Sequence, residues 1–205
     1  PQAQVVGEAL LKQPIVKSVM PVDTNIGIIE LHDAYPAEDV VDKLAKQDLK
    51  KILTLENPVE IINNHFVQMQ VNEDMNITYS VGLKAALRQD PDIIMIGEIR
   101  DEETARNVFR AALTGHTVIS TMHTKDKYGV IERLIDFGFL PSEISSVLIG
   151  VSNQRLILDN FGKTKAFYDY TLSNELPQMI QNKGDLSSIE DKIDKLRAND
   201  KISQK

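Results

Sequence analysis

Residues 91–124 read PDIIMIGEIRDEETARNVFRAALTGHTVISTMHT. Glu98 follows an apolar run, one residue after Gly97; Arg100 and Asp101 come next, and His116 and His123 stand on either side of a second apolar run. In open α/β sheets ligands gather at the carboxyl ends of the strands. A carboxylate at the end of a buried strand is therefore placed to hold a water or an Mg²⁺ ion beside a phosphate chain. The same residue also arises wherever a chain simply emerges into solvent, and this stretch alone leaves both readings open. Asp101 reads first as a helix N-cap, ahead of a metal role. Arg100 suits a phosphate, a neighbouring subunit or an exposed ion pair. An imidazole at a strand end can sense or stabilise charge on a leaving phosphate, although each histidine alone is more often structural. The seven-residue separation of His116 and His123 prevents their pairing as metal ligands on one helical face, being two turns or about 10 Å, and no third ligand has suitable spacing.

These groups need a rigid frame, and the surrounding pattern supplies one. Ile93 to Ile96 is a continuous apolar run, as expected of a central strand covered on both faces. Ala105, Val108, Phe109, Ala112 and Leu113 recur at helical spacing behind the acids Asp101, Glu102 and Glu103, which suit a positive helix N-terminus, and Gly115 stops the helix. Thr117 to Thr121 reads as the next strand. Upstream, Gly27 to Leu31 reads as a strand, Val40 to Leu49 as a helix and Lys51 to Leu55 as a strand. His65 to Val71 alternates like an edge strand. Ser80 is positioned to cap a helix running to about Arg88. Downstream come helices over Val130–Phe137 and Ser142–Ile149, then a hairpin over Leu156–Tyr170. Strands alternating with amphipathic helices predict an α/β fold with a largely parallel sheet. The polar segment from about Asn182 carries Leu186, Ile189, Ile193 and Leu196 at heptad-like spacing, and a surface helix or disorder fits equally.

At 205 residues, with 42% apolar and 26% charged residues, the chain fits one core and a soluble, cytoplasmic class. It contains no cysteine, which excludes disulfides, thiol catalysis and cysteine-bound zinc. A net charge of −7 argues against a general nucleic-acid surface, and no direct nucleic-acid contact is expected.

Three linked motifs carry a family resemblance. LTLENPVE (Leu53–Glu60) resembles the Asp box of the secretion and type IV pilus assembly ATPases. LRQDPDIIMIGEIRDEETA (Leu87–Ala105) resembles their Walker B segment, and LTGHTVISTMHT (Leu113–Thr124) their His box. QVNEDMNITYSVGLKAALRQDPD, ERLIDFGF and LIGVSNQRLI extend the similarity over about residues 51–158. The absence of cysteine is similar to the competence pilus branch, since other branches carry a four-cysteine zinc insertion. The resemblance implies a RecA-like P-loop NTPase core over residues 26–170, between an unmatched segment 1–25 and a polar tail 171–205. It implies a hexameric ring of identical chains on the cytoplasmic face of a membrane, using ATP and Mg²⁺ to move a membrane platform protein that assembles pilin-like subunits. Glu98 is then the Walker B acid. Glu56 and Glu60 are Asp-box carboxylates, and His116 and His123 lie near the γ-phosphate. Glu98 and Glu56 are the candidate Mg²⁺ residues, through water, and Arg100 and Asp101 the candidate nucleotide-binding residues. Glu56, Glu98 and His116 are expected to face one crevice.

The family carries a phosphate-binding loop, G-x-x-x-x-G-K-[ST], about twenty residues before the Asp box. That interval here reads LHDAYPAEDVVDKL, without the glycines whose N–H groups close round a phosphate or the lysine that neutralises it. Gly162-Lys163-Thr164 lacks the earlier glycine, at Ile157, and sits in the expected hairpin. Asp33, Glu38 and Asp39 occupy the frame instead. Micromolar binding amounts to about 8 kcal/mol. One like-charge contact at about 4 Å costs about 1 kcal/mol in water and about 4 kcal/mol at an effective dielectric of about 20. The interval therefore predicts weak ATP binding, and two readings follow: a motor domain with an altered phosphate loop, or a non-hydrolysing ring or regulatory subunit.

Overall fold

The computed structural model describes residues 50–158, 161, 164–172, 175–181 and 193–195. The strand expected over 27–31, the helix over 40–49, the interval 31–41, the Gly162-Lys163 turn and most of the polar tail lie outside these residues.

Four strands, β1 (Ile52–Glu56), β2 (Phe66–Gln70), β3 (Ile93–Ile96) and β4 (Thr117–Ser120), form one wholly parallel sheet in the order β2-β1-β3-β4. Every residue of β1, β3 and β4 is buried, the outcome expected of apolar runs covered on both faces. In β2, outermost among the described residues, only Phe66 is buried; Val67, expected on the inward face of the alternating pattern, is exposed, and Gln68 and Met69 are half-buried. Its glutamines hold the preceding loop: the Gln68 side chain accepts from the Asn63 N–H at 2.7 Å and donates to the Ile61 carbonyl at 2.9 Å, and Gln70 accepts from the Val59 N–H at 3.2 Å.

Helix α1 (Tyr79–Leu87) connects β2 to β3. Its cap is Thr78, not Ser80: Thr78 is extended and its side chain accepts from the Val81 N–H at 3.2 Å. Ser80, one turn-position inside the helix, is buried and accepts a hydrogen bond from Asn107 at 2.9 Å. Helix α2 (Glu102–Leu113) returns from β3 to β4 with Ala105, Val108, Phe109 and Ala112 buried. Leu113, expected on that apolar stripe, is exposed, although Ala111 and Ala112 in the same turn are buried. Gly115 leaves the helix with φ of 99°, a conformation that suits glycine.

Helix α3 (Lys127–Asp136) starts earlier than the apolar pattern predicts, since Asp126 accepts from the Tyr128 and Gly129 N–H groups, each at 3.0 Å. Helix α4 (Pro141–Val147) follows. The antiparallel hairpin β5 (Gly150–Leu158) and β6 (Thr164–Leu172) begins six residues before the expected Leu156. A short helix α5 (Leu176–Gln181) buries Leu176, Met179 and Ile180 in the same core as the sheet, and Ile193 is buried as well. That i, i+3, i+4 stripe sits in a segment whose mean composition is polar, so the core continues past residue 170.

Candidate functional site at the carboxyl edge of the sheet

Parallel strands end on one edge, and the described side chains with chemistry gather there. The exit from β3 is pinned on both sides: the Gly97 N–H donates to the Leu55 carbonyl at 2.8 Å, the Ile99 N–H to the Thr121 carbonyl at 2.9 Å, and the Thr121 hydroxyl to the Gly97 carbonyl at 2.7 Å. Glu98 is carried by this short fixed segment. Its Oε1 accepts from Arg100 at 2.5 Å and its Oε2 stands 3.6 Å from His123 Nε2. The Glu98 side chain is 15% exposed, against 63% for Arg100 and 88% for His123, so a well-covered carboxylate faces two cation-capable groups that open to solvent. The Arg100 hydrogen bond holds the Glu98 carboxyl below its ordinary value. The Arg100, His123 and Arg133 charges act the same way, and burial opposes them. Glu98 in turn holds the Arg100 guanidinium protonated more firmly than usual.

Tyr79, at the first turn of α1, closes this edge from the side of β1. A Cβ built on Gly97 would lie 3.1 Å from the Tyr79 hydroxyl and 3.3 Å from the Leu55 carbonyl, so glycine here lets the phenol approach the strand end. Burial, then the negative charge of Glu98 and more weakly of Glu56, raises the Tyr79 phenol, with Arg100 opposing. The hydroxyl therefore stays a donor at neutral pH.

Glu56 ends β1 and is 3% exposed. Thr54, two residues earlier on the same face, donates to its Oε1 at 2.5 Å, and Gln68, paired opposite Thr54 in β2, donates to the same oxygen at 3.0 Å. Its Oε2 is buried without a hydrogen-bond partner. Leaving such an atom unpaired costs about 1–3 kcal/mol, and a water or cation-bound water would relieve it. Asp101 is an N-cap: Oδ1 accepts from the Thr104 N–H at 2.7 Å and Oδ2 from the Thr104 hydroxyl at 3.2 Å. With both oxygens engaged by the helix, the geometry gives it a capping role and does not turn it toward Glu98. Glu60 stands exposed in the loop between β1 and β2.

His116 is not brought to this edge. It precedes β4, and its Nδ1 lies 3.2 Å from the Ala111 carbonyl and 3.2 Å from the Thr114 hydroxyl. A four-residue strand, roughly 13 Å long, separates it from the end that carries His123. Of the three residues expected to face one crevice, Glu56 and Glu98 lie at the carboxyl ends of adjacent strands, and His116 lies at the opposite end of β4. Opposite ends of one strand cannot share a site.

Arg133, on α3, was not among the residues that the motifs single out. Its Nη1 donates to the His123 carbonyl at 3.1 Å and its Nη2 to the Arg100 carbonyl at 3.2 Å. No local signal marks it, because its partners lie 10 and 33 residues away in the chain. Thr54 and Gln68 were legible only through the β1–β2 register.

No group of three or more metal-type side chains forms a cage among the described residues. Mg²⁺ needs no cage: it takes one or two carboxylates and completes its octahedron with waters and phosphate oxygens. Glu98, with its oxygens at the sheet edge, and Glu56, with an unpaired Oε2, fit that mode.

Comparison with known proteins bears on the family and the fold. Residues 38–196 match the family described as "Type II/IV secretion system protein". The competence protein ComGA of Bacillus subtilis is 51% identical over 108 residues, covering 53% of this chain and 30% of that protein. The type II secretion system protein E of Pseudomonas aeruginosa is 49% identical over 108 residues, covering 53% of this chain and 22% of that protein. The chain thus spans under a third of the length of these two relatives. Among solved structures, the pilus retraction motor PilT with bound ADP superposes with a TM-score of 0.71 and 26% identity, over 88% of this chain and 59% of that one. The α/β frame is RecA-like, and the chain belongs to the type II/IV secretion system protein family.

Proposed function

We propose that this chain is the ATP-hydrolysing domain of a secretion, type IV pilus or competence pseudopilus assembly motor. The observation that carries this reading is Glu98 at the carboxyl end of a buried parallel strand, with Arg100 and His123 on its two oxygens. Names of similar proteins support it: a competence protein, a secretion system protein and a pilus motor bound to ADP.

In this reading Glu98 accepts hydrogen bonds from water beside the γ-phosphate. Arg100 is exposed and long enough to leave Glu98 for a phosphate oxygen, and His123, at the end of β4, donates to the same charge when protonated. Glu98 and Glu56 would hold Mg²⁺ through water, and the ion would supply positive charge to the phosphate oxygens. The assembled motor is a ring of identical chains, six in number, at the cytoplasmic face of the membrane, and it drives a membrane platform protein.

Titration of the intact protein with a fluorescent ATP analogue and Mg²⁺ tests the reading. Saturable binding weaker than micromolar is expected, since the interval before the Asp box lacks the phosphate loop's glycines and lysine, with turnover that falls by at least about 10²-fold in Glu98→Gln. No binding at millimolar nucleotide, or turnover unchanged in that variant, rejects it.

A further inference from the structure

The four-stranded sheet fixes where β3 and β4 end but not how the two loops leaving them face each other. One loop carries Glu98, Arg100 and Asp101; the other carries His123. Backbone contacts between them stop at Thr121, whose carbonyl accepts from Ile99 and whose hydroxyl donates to Gly97. Beyond that point the guanidinium of Arg133 takes over. One of its nitrogens donates to the Arg100 carbonyl and another to the His123 carbonyl. It also lies 5.6 Å from the centre of the Phe137 ring, one turn along α3, which fixes the direction of its side chain.

We propose that Arg133 is a positioning residue of the carboxyl edge: its guanidinium ties the loop bearing Glu98 and Arg100 to the loop bearing His123, and so sets the Glu98–His123 separation. The planar fork suits this task, because two N–H groups at a fixed angle reach two carbonyls that one ammonium cannot span equally well. Its positive charge adds to the fields of Arg100 and His123 on Glu98. A role confined to α3 would place the guanidinium on that helix's own groups or in solvent; instead its hydrogen bonds to the His123 and Arg100 carbonyls leave the helix. The inference rests on the hydrolytic reading above for its kinetic consequence, though not for the geometry.

The test uses the intact protein with Arg133→Gln and Arg133→Lys. Amide hydrogen exchange read by mass spectrometry is expected to rise in Arg133→Gln over residues 97–101 and 121–126 together, with β1 and α1 unchanged. Turnover is expected to fall on the order of 10²-fold, the penalty of misplacing reacting groups by about an ångström. KM and the affinity for the fluorescent ATP analogue stay near the wild-type values, since the loss lies in orientation. Arg133→Lys, keeping the charge and one hydrogen bond, recovers part of both effects. Should Arg133→Gln fail to fold, Arg133→Lys carries the comparison. Faster exchange limited to α3, or loosened loops with kcat unchanged, overturns the proposal. A wild-type protein without turnover sinks the hydrolytic reading alone, and the exchange pattern then decides the tie by itself.

Discussion

Glu98 shows how far side-chain chemistry at this edge is set by neighbours rather than by the residue itself. Its carboxyl is pulled below the ordinary 4.5 chiefly by the hydrogen bond from Arg100. A carboxylate depressed in the folded state contributes stability that is complete above the unfolded value and is lost as pH falls through the folded one. Arg100→Gln removes the first cause and lets the carboxyl rise toward 4.5. Denaturant titrations of wild type and variant from about pH 7 down to about pH 3 are therefore expected to show a constant difference at neutral pH that closes in acid. A difference growing toward acid would place the interaction elsewhere. Glu98, Arg100 and His123 were legible as a set because strand ends announce themselves as apolar runs broken by a charge. His116 misled for the same reason: the motif brackets β4 with two imidazoles, and only the strand's direction tells which one lies on the carboxyl edge.

At the scale of elements, burial on both sheet faces does most of the specification. β1, β3 and β4 are short and, Glu56 at the end of β1 apart, apolar or small, so their existence was readable from sequence while their boundaries shifted by one residue or so. Helix starts moved further: Thr78 caps α1 in place of Ser80, and Asp126 starts α3 ahead of the expected Val130, because each has a side-chain oxygen within reach of N–H groups at the first turn. Close helix–sheet contact was not readable, since it depends on Gly82. A Cβ there would lie 2.3 Å from Leu55 Cδ2 and 3.1 Å from Met69 Sδ, both held between α1 and the sheet. Leu55 is fully buried and has little room to turn. Gly82→Ala gains helix propensity but overpacks this contact, and a net loss of about 1–3 kcal/mol is expected. For a chain of this length that is a fall of several degrees in Tm, on the order of 2–4 °C per kcal/mol. A raised Tm in a thermal scan would show that Leu55 yields and that propensity governs.

The molecule as a whole joins a parallel sheet to an antiparallel hairpin, and one buried ion pair marks that junction. Lys127, the first residue of α3, donates to Asp169 of β6 at 3.0 Å, with side chains 8% and 3% exposed. Arg155 of β5 adds a hydrogen bond to the Lys125 carbonyl just before that helix. Both ties converge on the segment between His123 and α3, which also carries the N-cap Asp126 and leads to Arg133. The hairpin thus braces the start of α3, the helix that carries Arg133. Removing one partner of a buried ion pair is destabilising, by up to about 3–5 kcal/mol where nothing else compensates the remaining charge. Lys127→Met keeps the length and apolar stem of the side chain while removing the charge, so packing is largely preserved. Denaturation of this variant is expected to show a loss of that order, and exchange in native conditions to rise first in β5, β6 and the segment before α3. The amides of β1 and β3 should hold their protection until global unfolding. Uniform acceleration across the sheet would mean that hairpin and sheet open as one unit; protection confined to the sheet would establish that α3 is the joint between them.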